Sequence, residues 1–214
     1  MPEEERASSL LVQRRADVLQ ALRTATAPLH ERLDKGLPIA REDASLDDYA
    51  AHLRVLRPWL EALRRDLGAS RVAALHAAAL RIDAKLADLA LDLADAGDAA
   101  PALQPAFQPA DACVPPAFGW GLAYVVEGSQ LGGVVLHRRL RDRLAPHPLR
   151  YLSKAGDEAG VAARWRDFIL QLRESVVDPA SIRQAERGAT AAFLDLLERF
   201  GARGAKACAD NPRP

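Results

Sequence analysis

Cysteine, aromatic side chains and net charge are all scarce in this 214-residue chain, and each scarcity removes a class of answer. The two cysteines, Cys113 and Cys208, lie far apart in segments that read as loop and tail, so no disulfide framework is indicated. Three Trp, three Tyr and five Phe, with no alternating apolar pattern, argue against a β-rich fold. The 29 basic and 29 acidic residues cancel, leaving no global field to draw in nucleic acid or an anionic membrane. No apolar run approaches the length of a transmembrane helix. The opening MPEEERASS lacks the basic region and apolar core of a signal peptide. A soluble cytoplasmic protein with reduced thiols is therefore expected. Flavin, nicotinamide and iron–sulfur signatures are missing too, so any electrons must come from outside the chain.

What the chain has in abundance is alanine, leucine and arginine, which favours an all-α, single-domain, multihelical bundle. Residues 1–9 are polar and read as a disordered tail, residues 10–203 as the helical domain, and residues 204–214 as a C-terminal tail. Leu11, Val18, Leu22, Leu29 and Leu33 predict a helix from Leu10 to about Asp34. Pro28 should kink it, unless Thr24 or Thr26 caps a fresh start. Ser45 and Asp48 resemble a capping box opening a second helix that ends near Gly68. Ser70 can cap a third, from Arg71 to about Ala94. Five prolines between residues 97 and 116 mark an irregular crossing. Further helices are expected over Ala117–Leu144, Asp157–Val177 and Pro179–Phe200.

Two stretches carry chemistry. In YVVEGSQLGGVVL, Tyr124 to Leu136, Gly128, Gly132 and Gly133 interrupt an apolar helical run, and each costs a helix about 1 kcal/mol relative to alanine. Gly128 and Gly132 share one face, so the helix presents a bare backbone strip. A close contact between two helices is the plainer explanation, whereas Ser129 and the third glycine suit a helix lying against a planar cofactor. In LRTATAPLHERLD, Leu22 to Asp34, residues Thr26, His30 and Asp34 recur at one-turn intervals on one face. An imidazole with a carboxylate one turn away can serve as an oriented metal ligand. A partly buried histidine satisfied by a neighbour is the alternative.

LRTATAPLHERLD resembles the proximal helix of the heme oxygenases, and GWGLAYVVEGSQLGG resembles their glycine-rich distal helix in the bacterial form that supplies biliverdin to bacteriophytochromes. The similarity continues through YLSKAGDEAGVAARWRDFILQL and the YxxxLxxxxxWLE pattern of the second helix, covering most of residues 20–200. It implies that His30 is the axial ligand to heme iron, its other ring nitrogen held by a backbone group or water. Arg23, two turns before His30, would reach a heme propionate. Arg138, Arg139, Arg141 and Arg143 suit the other propionate or an acidic electron donor, although a solvated charge run fits most of them equally. Asp34 is expected either to orient His30 through water or to pair with Arg32 or Lys35. His52, His76 and His147 lack comparable settings, and His137 lies four residues after Gly133. Tyr49, Trp59, Phe118, Trp120, Tyr124, Trp165 and Phe168 are expected in the core. Ser129 stands where many family members carry an aspartate, so proton delivery would rest on ordered water and main-chain groups.

The resemblance implies that heme is cofactor and substrate together, and that oxygen is admitted on the side of Gly128, Ser129, Gly132 and Gly133. Biliverdin, carbon monoxide and ferrous iron are the expected products. A ferredoxin, a reductase or a small reductant would donate electrons, and a bacteriophytochrome is a candidate recipient of the pigment. A non-catalytic heme carrier or sensor of the same fold is the alternative, and a helical bundle for another small molecule a third.

Overall fold

The computed structural model describes the backbone of residues 3–98, 114–153 and 158–210, and the side chains of 18–98, 114–153 and 159–202. Among the described residues the chain is helical throughout, without strands. We label the helices α1 (Glu3–Gly36), α2 (Leu46–Gly68), α3 (Ala73–Asp95), α4 (Pro116–Leu140), α5 (Arg150–Ser153), α6 (Glu158–Ser175) and α7 (Pro179–Asp210). A single 3-10 turn, Pro38–Ala40, joins α1 to α2.

Most expected elements are present, with shifted ends. α1 begins at Glu3 rather than Leu10 and continues through Pro28 as one helix. α2 carries the anticipated box: Ser45 Oγ accepts from the Asp48 amide at 3.2 Å, while the Asp48 carboxylate accepts from the Ser45 amide at 2.9 Å. Two orphan amides of the first turn are thereby satisfied. Ser70 does not cap α3; its hydroxyl accepts from the Val72 amide at 3.2 Å, and the helix starts at Ala73. α4 stops at Leu140, four residues short of the expected end. α5 was not anticipated, and α7 extends past Phe200 to Asp210. The proline-rich crossing lies mostly outside the described residues, as does Cys113; only the backbone of Cys208 is described.

α2 and α3 pack as a hairpin, and α4 packs most extensively on α7, which also supports α1. The core gathers Leu22, Tyr49, Trp59, Leu60, Leu75 and Leu89 with Trp120 and Phe193. Trp59 spans it by donating its indole N–H to Ala192 O at 3.0 Å. The α4–α7 crossing is tight because two glycines meet it: a Cβ on Gly121 would strike the Ala185 carbonyl, and one on Gly188 the Phe118 carbonyl. Gly119, Gly121 and Gly188 are therefore the packing glycines of this fold.

Buried charge is concentrated at Asp92, which is fully enclosed. Its carboxylate accepts from the Tyr49 hydroxyl at 2.7 Å and from the backbone amides of Arg150 and Tyr151 at 2.9 and 2.8 Å. Arg150 Nη1 adds a fourth donor at 3.3 Å. Burial, and then this hydrogen bond to Asp92, push the Tyr49 phenol far above its ordinary pKa. No helix among the described residues is long and apolar enough to cross a membrane.

Candidate functional site

Two sets of contacts tie α4 to α1 and to the connection that follows it. At one end Tyr124 of α4 meets Thr26 of α1 through a side-chain hydrogen bond, with the Arg23 charge beside it. Burial nonetheless raises the Tyr124 phenol above its ordinary pKa, outweighing both neighbours. At the other end Arg139 Nη2 donates to Ala40 O at 2.6 Å, and Arg143 Nε donates to Ala44 O at 2.9 Å. Between the ties, fifteen residues of α4 span about 22 Å at 1.5 Å per residue. Direct backbone packing of α1 on α4 is sparse along this span, since each rests instead on α6 and α7. His30 lies one turn beyond Thr26 on α1, and Gly128 one turn beyond Tyr124 on α4.

His30 is solvent-accessible, and its Nδ1 lies 2.9 Å from Asp34 Oδ2. The contact is direct, which corrects the expected backbone or water partner for the second ring nitrogen. Of the two alternative partners expected for Asp34, Lys35 pairs instead with Glu31 at 2.6 Å. The imidazole ring leans on Phe193 of α7, centroids 5.9 Å apart. With Nδ1 engaged and one ring face covered, Nε2 is the nitrogen left for a ligand bond. The depression beside His30 is open and lined by α1 alone, through Ala27, His30, Glu31, Asp34 and Lys35. The glycine strip forms no part of its wall.

The strip on α4 is split in character. A Cβ on Gly128 would rest against the Trp165 ring at 3.6 Å, an ordinary contact, while one on Gly132 would meet nothing within 4 Å. Gly132 is therefore not spent on helix packing, in contrast to Gly121 and Gly188. Leu131 and Val135 flank it as large apolar side chains, 38% and 54% exposed. Bare backbone bordered by uncovered apolar side chains fits a flat, largely apolar ring system.

The other expected site residues divide. Thr26 is buried and donates its hydroxyl to Leu22 O at 2.8 Å, so it supports the site from within rather than facing outward with His30. Ser129 donates to Val126 O at 2.7 Å, back-bonded to its own helix. Arg23 is exposed at the Tyr124 end of the span. Arg139 and Arg143 stay exposed, as a solvated run would, while each also donates to a backbone carbonyl of the α1–α2 connection. Arg141 pairs loosely with Asp142 at 3.6 Å, and Arg138 is exposed at the end of α4. Tyr124 and Trp165, expected in the core, are half-buried and pack together at the site's edge with centroids 5.6 Å apart. Phe193 escaped the sequence reading because an aromatic at helical spacing looks like any core residue. Glu127 escaped it as well, although a lone carboxylate inside the apolar run YVVEGS signals a buried charge with a partner.

No protein-family model matches the chain. The chain is similar to a heme oxygenase of Xanthomonas campestris pv. campestris, 42% identical over 93 residues, which are 40% of this chain and 54% of that relative. The chain thus spans about half the length of that protein. It is also similar to the heme oxygenase PigA of Pseudomonas aeruginosa, 30% identical over 186 residues, which cover 84% of this chain and 91% of that relative.

Proposed function

Because this chain belongs to the heme oxygenase family, we propose that it binds heme between α1 and α4 and cleaves it, with oxygen and electrons from an external donor, to biliverdin, carbon monoxide and ferrous iron. The observations that support this reading are the pairing of His30 with Asp34 on α1 and an α4 strip whose Gly132 has open space beside it. Bound heme supplies both the iron that activates oxygen and the ring that is opened.

The chain's own residues bind, orient and shield. His30 offers Nε2 to the iron, with its ring fixed by Asp34 and Phe193. Both propionates leave one edge of the porphyrin, so they would meet either the Arg23 guanidinium or, at the far end of the same span, those of Arg138 and Arg141. Gly132 and Gly133 admit a planar ring close to the α4 backbone, and Leu131 and Val135 keep that side apolar. The Ser129 hydroxyl is occupied by Val126 O, so protons come through ordered water and main-chain groups. The orientation in which the α1 and α4 residues held the ring would decide which bridging carbon is opened, and hence which isomer forms.

A cytoplasmic setting, an electron donor such as a ferredoxin, a reductase or a small reductant, and delivery of the pigment to a bacteriophytochrome complete the proposal. Of these, the bacteriophytochrome rests on the resemblance of GWGLAYVVEGSQLGG. The test is aerobic turnover of the hemin complex with a reductase system: the Soret band should disappear as green pigment and carbon monoxide form. A complex that returns to intact ferric heme would identify a carrier or sensor instead.

A further inference from the structure

The crossing with α7 fixes α4 near Gly121, but the strip two turns further on has few side chains to key into a neighbour. Residues beside Gly128 and Gly132 then hold the angle at which they face outward. Glu127 immediately precedes Gly128 and points about 100° away around the helix. Its side chain is only 6% exposed, yet it carries a carboxylate. Arg81 of α3 meets it with two nitrogens, Nε at 2.9 Å and Nη2 at 2.7 Å, both on Oε1. A carboxylate removed from water to this degree is stable only while its partner stays in place, so the pair defines one rotation of α4.

Neighbouring groups act in the same sense. Gln130 is buried and donates Nε2 to Val126 O at 3.2 Å, the carbonyl that also takes the Ser129 hydroxyl. Two side-chain donors on one helix carbonyl loosen the regular ladder at the turn where the glycines begin. Val134 closes the same side against Val161 of α6. Lys85, Asp88 and Arg164 line a small cavity next to the pair.

We propose that Glu127, clamped by Arg81, is a positioning residue: it holds the axial rotation of α4 and thereby sets the angle and distance at which the Gly128–Gly133 backbone meets the heme plane. The inference rests on the heme oxygenase reading for what the strip faces, while the clamp itself is a property of the protein without ligand.

Two variants test it. Glu127→Gln keeps the shape and removes the charge, and Arg81→Lys keeps the charge and removes the two-nitrogen fork. In the ligand-free protein, amide exchange over residues 128–133 should quicken by about tenfold in Glu127→Gln, with α2 and α7 unaffected. Arg81→Lys should fall between that variant and the parent. In the hemin complex, Glu127→Gln should keep the Soret band and bind within about threefold of the parent. The pH midpoint of its ferric spectrum and the ratio of biliverdin isomers should both change. Uniformly faster exchange in all helices, or unchanged midpoint and isomer ratio in a folded Glu127→Gln protein, would overturn the proposal and leave the pair merely structural. Failure of the parent protein to take up hemin would remove the functional reading and this positioning role together, with the local exchange result still reporting whether the clamp acts on α4.

Discussion

His30 Nδ1 and Asp34 Oδ2 lie 2.9 Å apart on consecutive turns of α1, so the imidazole is oriented before any ligand arrives. Both side chains are 62% exposed, and the pair adds little to stability. Its value is directional. Asp34→Asn should leave the thermal midpoint unchanged and weaken hemin binding by about tenfold, the lower end of the effect of losing a partner to a ligating histidine. Titration of hemin into the two proteins, read at the Soret band, measures it.

The glycines should separate cleanly by substitution. Gly132→Ala faces open space and gains helix propensity, so the ligand-free protein should be stabilised by about 0.5–1 kcal/mol while hemin binding weakens. Gly121→Ala and Gly188→Ala drive a methyl into the opposing backbone, and each should destabilise by about 2 kcal/mol or more. Urea unfolding of the three variants checks both directions.

This contrast also marks how far the sequence could be read. The glycine cost in YVVEGSQLGG was visible from propensity alone, and so was the shared face of His30 and Asp34. Gly121 and Gly188 were not distinguishable, because their need for hydrogen arises from a crossing with another helix 67 residues away in the chain. Ser45 and Asp48 identified the start of α2, since a capping box is a local device. Arg139 and Arg143 looked solvated because their acceptors are backbone carbonyls of a distant connection, which leave no mark in the residue pattern. Thr26 shares a spacing with His30 but turns inward, since helical periodicity fixes a face only to within about a hundred degrees.

Asp92 should be among the most sensitive positions in the fold. Tyr49→Phe removes one hydrogen bond to a buried carboxylate and should cost about 1.5–3 kcal/mol. Asp92→Ala removes the acceptor for two backbone amides as well, and should cost more than Tyr49→Phe. Chemical denaturation at neutral pH gives both values.

His52 should make the protein acid-sensitive. Its Nδ1 is shut from solvent without a partner among the described residues, its ring stacks on Phe200 at 5.4 Å, and burial lowers its pKa from 6.5 to about 4. Between those values the unfolded chain binds a proton that the folded chain refuses. The His52 contribution is therefore fully present above about pH 6.5 and declines by on the order of 2 kcal/mol as pH falls toward 4. Urea midpoints across this range should fall less steeply in His52→Leu than in the parent.

The central claim is that one heme is held by His30 on α1 opposite the α4 strip, and a hemin titration of the parent protein beside His30→Ala tests it most directly. The parent should give a saturable one-to-one Soret band, and His30→Ala should shift that band and bind at least about tenfold more weakly while keeping its helical content. A parent protein that leaves hemin free in solution, or a His30→Ala protein with the parent's spectrum and affinity, would contradict the account.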